Sequence, residues 1–241
     1  MSLVPDITEM MARARADLRM GLPVVLCDQR SAVLAAAAET LTADRMADLR
    51  ALSDQAVLAI TARRAETLKA RAYDGDVARV ILPGDASLGW LQAVSDPTDD
   101  LQNPMKGPMV SARDGSADLH RLAIALAKSA RLLPAVLVVP VADGPVAAED
   151  YQLTRIDFEE ARAHLGERSP LHQVVHARLP ISAAEAGRLH IYRPEDGGEE
   201  HYAIEIGRPD RAKPVLARLH SACFTGDVLG SLKCDCGPQL H

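Results

Sequence analysis

Residues 218–241, RLHSACFTGDVLGSLKCDCGPQLH, hold three of the chain's four cysteines, Cys223, Cys234 and Cys236, in a C-x10-C-x-C arrangement. Thiolates are soft ligands suited to Zn²⁺, and a catalytic zinc site takes three protein ligands with a fourth position open to water. Two cysteines one residue apart reach a common ion where the backbone turns sharply. Gly226, Gly230 and Gly237 supply turning points. A strand expected over Val215–Leu219 delivers Arg218, His220 and Ser221 to the first cysteine. A metal held in this way brings the pKa of a bound water near 7. An arginine's planar fork suits phosphate oxygens. Metal-assisted hydrolysis of a phosphorylated substrate is one reading of these residues. A structural zinc knot closed by His220 or His241 is the other, because Cys₃His sites are common structural centres.

Around this stretch, 241 residues admit one large domain or two small ones. Hydrophobic residues make up 48% and charged residues 25%, as in an ordinary globular protein. Aromatic residues are only 3%, so the core must be built from Leu, Val, Ile and Ala. A net charge of −6 with no basic block gives no electrostatic footprint for nucleic acid or an acidic membrane surface. The first ten residues carry acids and no apolar signal region. The longest apolar run, Leu132–Ala142, falls far short of the ~20 residues of a membrane helix. Clustered cysteines read as a reduced metal site and not a disulfide framework, which fits the cytoplasm. Cys27 stands apart and reads as a small core residue.

The rest of the chain alternates helical patterns with short apolar runs. Residues 6–20 predict a helix with Asp6 and Glu9 as a capping pair and Gly21 beyond its end. Strands are expected at Pro23–Cys27, Ala56–Thr61, Val77–Leu82 and Ala135–Val141. The alanine-rich segment Ala32–Leu52 reads as helical, with Thr42 capping its second part. Further helices are expected at Ala62–Ala70, Leu119–Leu132 and Thr154–Leu165. Arg63 and Arg64 read as an exposed helix face, Asp99 and Asp100 as a solvated turn, and His120 as a solvated or capped residue. Such alternation predicts an α/β domain. Beyond it, Val174–Leu179, Leu189–Tyr192 and Tyr202–Ile206 alternate apolar with polar, and a turn at 194–198 joins the last two as a hairpin.

The terminal stretch resembles the signature of GTP cyclohydrolase II, RVHSE-C-LTGD followed by SLRCDCG-x-QL, over about 23 residues. Glu200–Ala203 and Val215–Ala217 are similar to that family's EH-x-A and VLAR segments. The resemblance implies that Cys223, Cys234 and Cys236 bind catalytic Zn²⁺. It implies that Arg218, Leu219, His220, Ser221, Ala222 and Gln239 line the nucleotide site. Zinc-activated water would open the imidazole ring of GTP, releasing formate and pyrophosphate in riboflavin synthesis. The implied partners are GTP or a related purine nucleotide and a second copy of the chain as a homodimer, with no nucleic acid and no membrane.

Two departures shape the expectation. Ala222 stands where the family has glutamate, which keeps open a cyclohydrolase-like role in uracil breakdown. The family's domain also continues past CDCG-x-QL, and its general base and nucleophilic arginine are expected beyond His241. The chain is therefore expected to be an incomplete, inactive fragment. A non-catalytic zinc-binding or dimerisation module is the alternative from another class. The N-terminal half resembles 3,4-dihydroxy-2-butanone 4-phosphate synthase through ARADLRMGLPVVL and HRLAIALAKSARLLPAVLVV. The acidic metal-binding run of that enzyme is here Cys27–Val33 with one acid, too few hard ligands for a divalent ion. The expected organisation is α/β (α+β): a degenerate synthase-like domain over 1–145, a linker over 146–172, and the β-rich first part of a cyclohydrolase II domain over 173–241.

Overall fold

The structure, a computed structural model, describes residues 3–165, 169–182 and 184–241. The chain divides into two units, Met1–Arg168 and Ser169–His241. Among the described residues no helix is long and apolar enough to cross a membrane.

In the first unit a six-stranded sheet runs between two layers of helices. Its strands are β1 (Val24–Cys27), β2 (Ala32–Ala37), β3 (Val57–Thr61), β4 (Val77–Ile81), β5 (Ala135–Val141) and β6 (Arg155–Asp157). They lie in the order β4-β3-β5-β2-β1-β6. Every neighbouring pair is antiparallel except β1 with β6. Alternate residues of each strand feed opposite faces. Val33, Ala35 and Ala37 pack with Met11, Leu18, Leu122 and Leu126 of α1 (Ile7–Arg19) and α5 (Asp118–Ser129). Leu34 and Ala36 pack with Met46, Leu49, Leu91 and Val94 of α2 (Ala43–Leu52) and α4 (Leu88–Ser95). Burying leucines such as Leu34, Leu58 and Leu137 contributes about 1.5–3 kcal/mol each.

The alanine-rich segment departs from its expected helix. Ala32–Ala37 is a buried interior strand, and the helix starts only at Ala43 with Thr42 as its N-cap. Alanine's helix propensity is a few tenths of a kcal/mol per residue. Six ladder positions with β5 and four with β1, every β2 residue buried, outweigh it. Elsewhere the capping box of Asp6 and Glu9 forms at the start of α1 as the sequence predicts.

One charged group read from the sequence as exposed is buried, and the acid it meets is half-buried. Arg64, on α3 (Ala62–Thr67), is 9% exposed. Its guanidinium clamps Asp100 at 2.5 and 2.8 Å and donates to the carbonyls of Ala93, Val94 and Asp96. Lys106 reaches the same carboxylate. These donors hold the Asp100 carboxyl well below the usual range. The sequence hides this arrangement because its partners lie 36 residues apart.

His120 is the third departure. Its Nδ1 is buried without a hydrogen-bond partner, and burial pushes its pKa down from 6.5 to about 4. Between those values the unfolded chain binds a proton that the folded chain refuses, so stability is lost as pH falls from about 6.5 to 4. The loss approaches ~3 kcal/mol by linkage. We expect His120→Gln to flatten the dependence of melting temperature on pH across that window. An unchanged slope would show that other groups set it.

Residues 146–165, within the expected linker, are structured in the first unit. They complete α6 (Gly144–Asp150), then form β6 and α7 (Phe158–Leu165). Apolar anchors, Ala147, Ile156 and Ala161, tie the segment down, all of them buried. The linker positions 166–168 lie outside the described residues.

The second unit holds a three-stranded antiparallel sheet, β7 (Leu171–Arg178), β8 (Arg188–Pro194) and β9 (His201–Glu205), in chain order. The hairpin between β8 and β9 forms where the sequence predicts it, with Gly197 at φ +71° in its turn. Register places Ala177, Leu189 and Ile204 in one cross-strand row and Val175, Ile191 and Tyr202 in a second row on the same face. The expected strand at Val215–Leu219 does not form: among the described residues no strand pairs with it, and Leu216 and Leu219 are almost fully exposed.

Candidate metal centre

The cysteine stretch folds onto itself. Cys223 N-caps a single π-helical turn, Phe224–Val228, its Sγ accepting from the Gly226 N–H at 3.4 Å. Gly230, at φ +63°, reverses the chain, and α8 (Cys236–Leu240) returns alongside the turn. Close contact between the two arms depends on two glycines. A β-carbon at Gly226 would stand 2.7 Å from Cys234 Sγ and 2.8 Å from Cys236 Cβ. One at Gly237 would stand 2.4 Å from the Gly226 carbonyl oxygen.

This closure brings the three sulfurs together, with all Sγ atoms within 4.8 Å of one another. Cys223 Sγ and Cys234 Sγ are 3.8 Å apart. Tetrahedral zinc with Zn–S bonds of ~2.3 Å requires sulfurs about 3.8 Å apart, so the donor set fits the ion in kind and spacing. Thr225 Oγ1 and the Gly226 N–H lower the Cys223 thiol to about 7. Contact with Cys223, together with loss of hydration, raises Cys236 to about 11. The Cys223 thiolate thus forms near neutral pH, while Cys236 ionises there only beside a cation.

Neither histidine proposed to close the ring joins it. His220 Nε2 pairs with Asp227 Oδ2 at 2.9 Å, and His241 Nδ1 lies 2.8 Å from the Gly237 carbonyl. Among the described residues the cluster contains three ligands and no fourth.

The other residues implied by the resemblance gather unevenly. Arg218 donates to Gln239 Oε1 at 2.9 Å, joining the two ends of the stretch. Gln239 in turn donates to Asp235. Leu219, Ser221 and Ala222 are exposed. Asp227 was missed by sequence reasoning; a carboxylate four residues after Cys223, within reach of that residue's own N–H, was the available signal. It accepts from Cys223 N–H and pairs with His220, and these two bonds hold its carboxyl below the usual range.

In the first unit, Asp28 is the acid remaining in the segment after β1. Its Oδ1 accepts from the N–H groups of Arg30 and Ser31, both at 2.7 Å, and from the Ser31 hydroxyl. The carboxylate closes its own turn, and among the described residues it is not part of a metal-binding cluster.

The family model described as GTP cyclohydrolase II matches residues 172–241. That stretch, about three tenths of the chain, is similar to the family. A protein named GTP cyclohydrolase-2 from Azospirillum brasilense is 38% identical over 238 residues, 95% of this chain and 61% of that protein. A riboflavin biosynthesis protein RibBA from Phocaeicola vulgatus is 35% identical over 129 residues, 49% of this chain and 32% of that protein. The chain therefore spans about three fifths of the Azospirillum cyclohydrolase. A two-domain 3,4-dihydroxy-2-butanone 4-phosphate synthase from A. baumannii superposes with a TM-score of 0.50 at 16% identity, covering 95% of this chain and 79% of that one. This likeness shows the fold alone, a mixed arrangement of helices and sheets.

Proposed function

We propose that the chain carries the zinc-binding part of a GTP cyclohydrolase II-type active centre, acting in the cytoplasm within riboflavin biosynthesis and assembling as a homodimer. The observation that carries this reading is the three-sulfur ring without a fourth protein ligand, its two candidate histidines being engaged elsewhere. A closed structural knot would use one of them; an open position suits catalysis. Zinc held by Cys223, Cys234 and Cys236 supplies Lewis-acid activation of water at neutral pH. Arg218, tied to Gln239, offers its guanidinium fork to a triphosphate. Leu219, His220, Ser221 and Ala222 form the exposed backbone run along which the nucleotide lies. Ala222 brings no carboxylate, which favours as a second reading a ring-opening hydrolase for a relative of GTP.

The relatives' naming and the 61% coverage support a centre completed by residues that this stretch does not supply. The 241-residue chain loaded with zinc is thus expected to release no formate from GTP. A chain completed to family length with the C-terminal portion of the Azospirillum relative is expected to release it, and its Cys234→Ser form is not. Should the completed chain bind zinc yet release no formate, with Cys234→Ser lowering only the melting temperature, the ring is structural.

A further inference from the structure

Residues 206–222 contain no regular element, and Leu216 and Leu219 are almost fully exposed. Two side-chain bonds nevertheless connect the Arg218–Ala222 run to the cysteine ring. One is Arg218 to Gln239, at the far end of α8. The other is His220 to Asp227, inside the π-helical turn. Asp227 Oδ2 serves twice, because the Cys223 N–H donates to the same oxygen at 2.9 Å. The carboxylate is 13% exposed and the His220 side chain 22%. Its other oxygen, Oδ1, is buried with no hydrogen-bond partner. Leaving a buried acceptor empty costs about 1–3 kcal/mol. The turn would incur no such cost if this side chain only filled space.

We propose that Asp227 is a positioning residue of the metal centre: a single carboxylate oxygen fixes both the backbone of the first zinc ligand and the ring of His220. A carboxylate accepts only, so Nε2 carries a proton, and in the neutral ring Nδ1 keeps its lone pair. Among the described residues Nδ1 has no protein partner, which leaves it for a ligand lying along the Arg218–Ala222 run. The arrangement follows a general rule for metal sites, in which outer partners set the orientation of the groups around the ion. The inference rests on zinc occupying the ring, as proposed above, and does not require that the substrate be GTP.

The test uses the 241-residue chain with Zn²⁺ as the probe, measured by competition with a chromogenic chelator. Asp227→Ala removes both bonds and should weaken zinc binding about 10–100-fold. Asp227→Asn keeps an oxygen that accepts from both donors, and should bind zinc nearly as tightly as the wild type. Nitrogen-15 NMR of the histidine rings should show His220 as the Nε2–H tautomer with a slowly exchanging ring proton in wild type and Asp227→Asn. That proton should be lost in Asp227→Ala. A purely structural role for the side chain would not fix the tautomer. Unaltered zinc affinity in Asp227→Ala overturns the proposal. So does a loss in Asp227→Asn as large as in Asp227→Ala, or a mixed tautomer at His220 in the wild type. If Asp227→Ala does not fold, the asparagine variant and the wild-type tautomer still decide. Wild-type protein that fails to bind zinc refutes the proposed function instead, so the two failures are distinguishable.

Discussion

Replacing Arg64 with alanine should lower the melting temperature of the first unit by roughly 10 °C. The substitution removes every bond that the guanidinium makes, to Asp100 and to the carbonyls of Ala93, Val94 and Asp96. Asp100 would keep only Lys106, and the carbonyls at the end of α4 would lose their donors. Breaking a fully buried pair by removing one partner costs about 3–5 kcal/mol, and the partial exposure of Asp100 places this pair toward the lower end. For a unit of this size, each kcal/mol shifts the midpoint by about 2–4 °C. Arg64→Lys should recover only part of the loss, because a single ammonium cannot reproduce a fork that meets two carboxylate oxygens and three carbonyls. Thermal unfolding followed by circular dichroism decides the matter. A shift no larger than that of exposed Arg63→Ala would mean that the network adds nothing.

Gly226→Ala should abolish zinc binding in practice, weakening it at least ~100-fold. This exceeds the usual effect of losing one outer partner, about 10–100-fold. The added methyl would lie 2.7 Å from Cys234 Sγ and 2.8 Å from Cys236 Cβ, so two of the three ligands must move. Neither neighbour is the tip of a flexible chain, and the sulfur is the ligand atom itself. Gly230→Ala is the control. There φ is +63° with open space around the position, so the substitution strains the backbone by about 1–2 kcal/mol without touching a sulfur. Zinc titration of both variants should separate them by more than an order of magnitude. Equal affinities would mean that the arms are not as close as their glycines permit.

The cysteine ring was legible in the sequence because its determinants are local. Thiols in C-x10-C-x-C, with two glycines among them and a third just beyond, specify a closed loop with little help from the rest of the chain. The strands rich in Val and Leu and the capping box of α1 were legible for the same reason. What was missed depends on partners distant in sequence. Ala32–Ala37 looks helical until β1 and β5 bury it on both sides. Arg64 looks solvated until the chain brings Asp100 to it. The strand expected at Val215–Leu219 has the right composition but no neighbour to pair with. Asp227 lies between these cases: it is local to the ring, but its value comes from one oxygen meeting two donors.

The short span of the ring has a consequence for how the protein is assembled. Its ligands fall between Cys223 and Cys236, with 12 residues between the outermost two. Closing a loop of that length takes tens of nanoseconds, far less than the microseconds needed to form a hairpin such as β8–β9. Closure of the ring is therefore a local event that does not wait on strand pairing elsewhere in the chain.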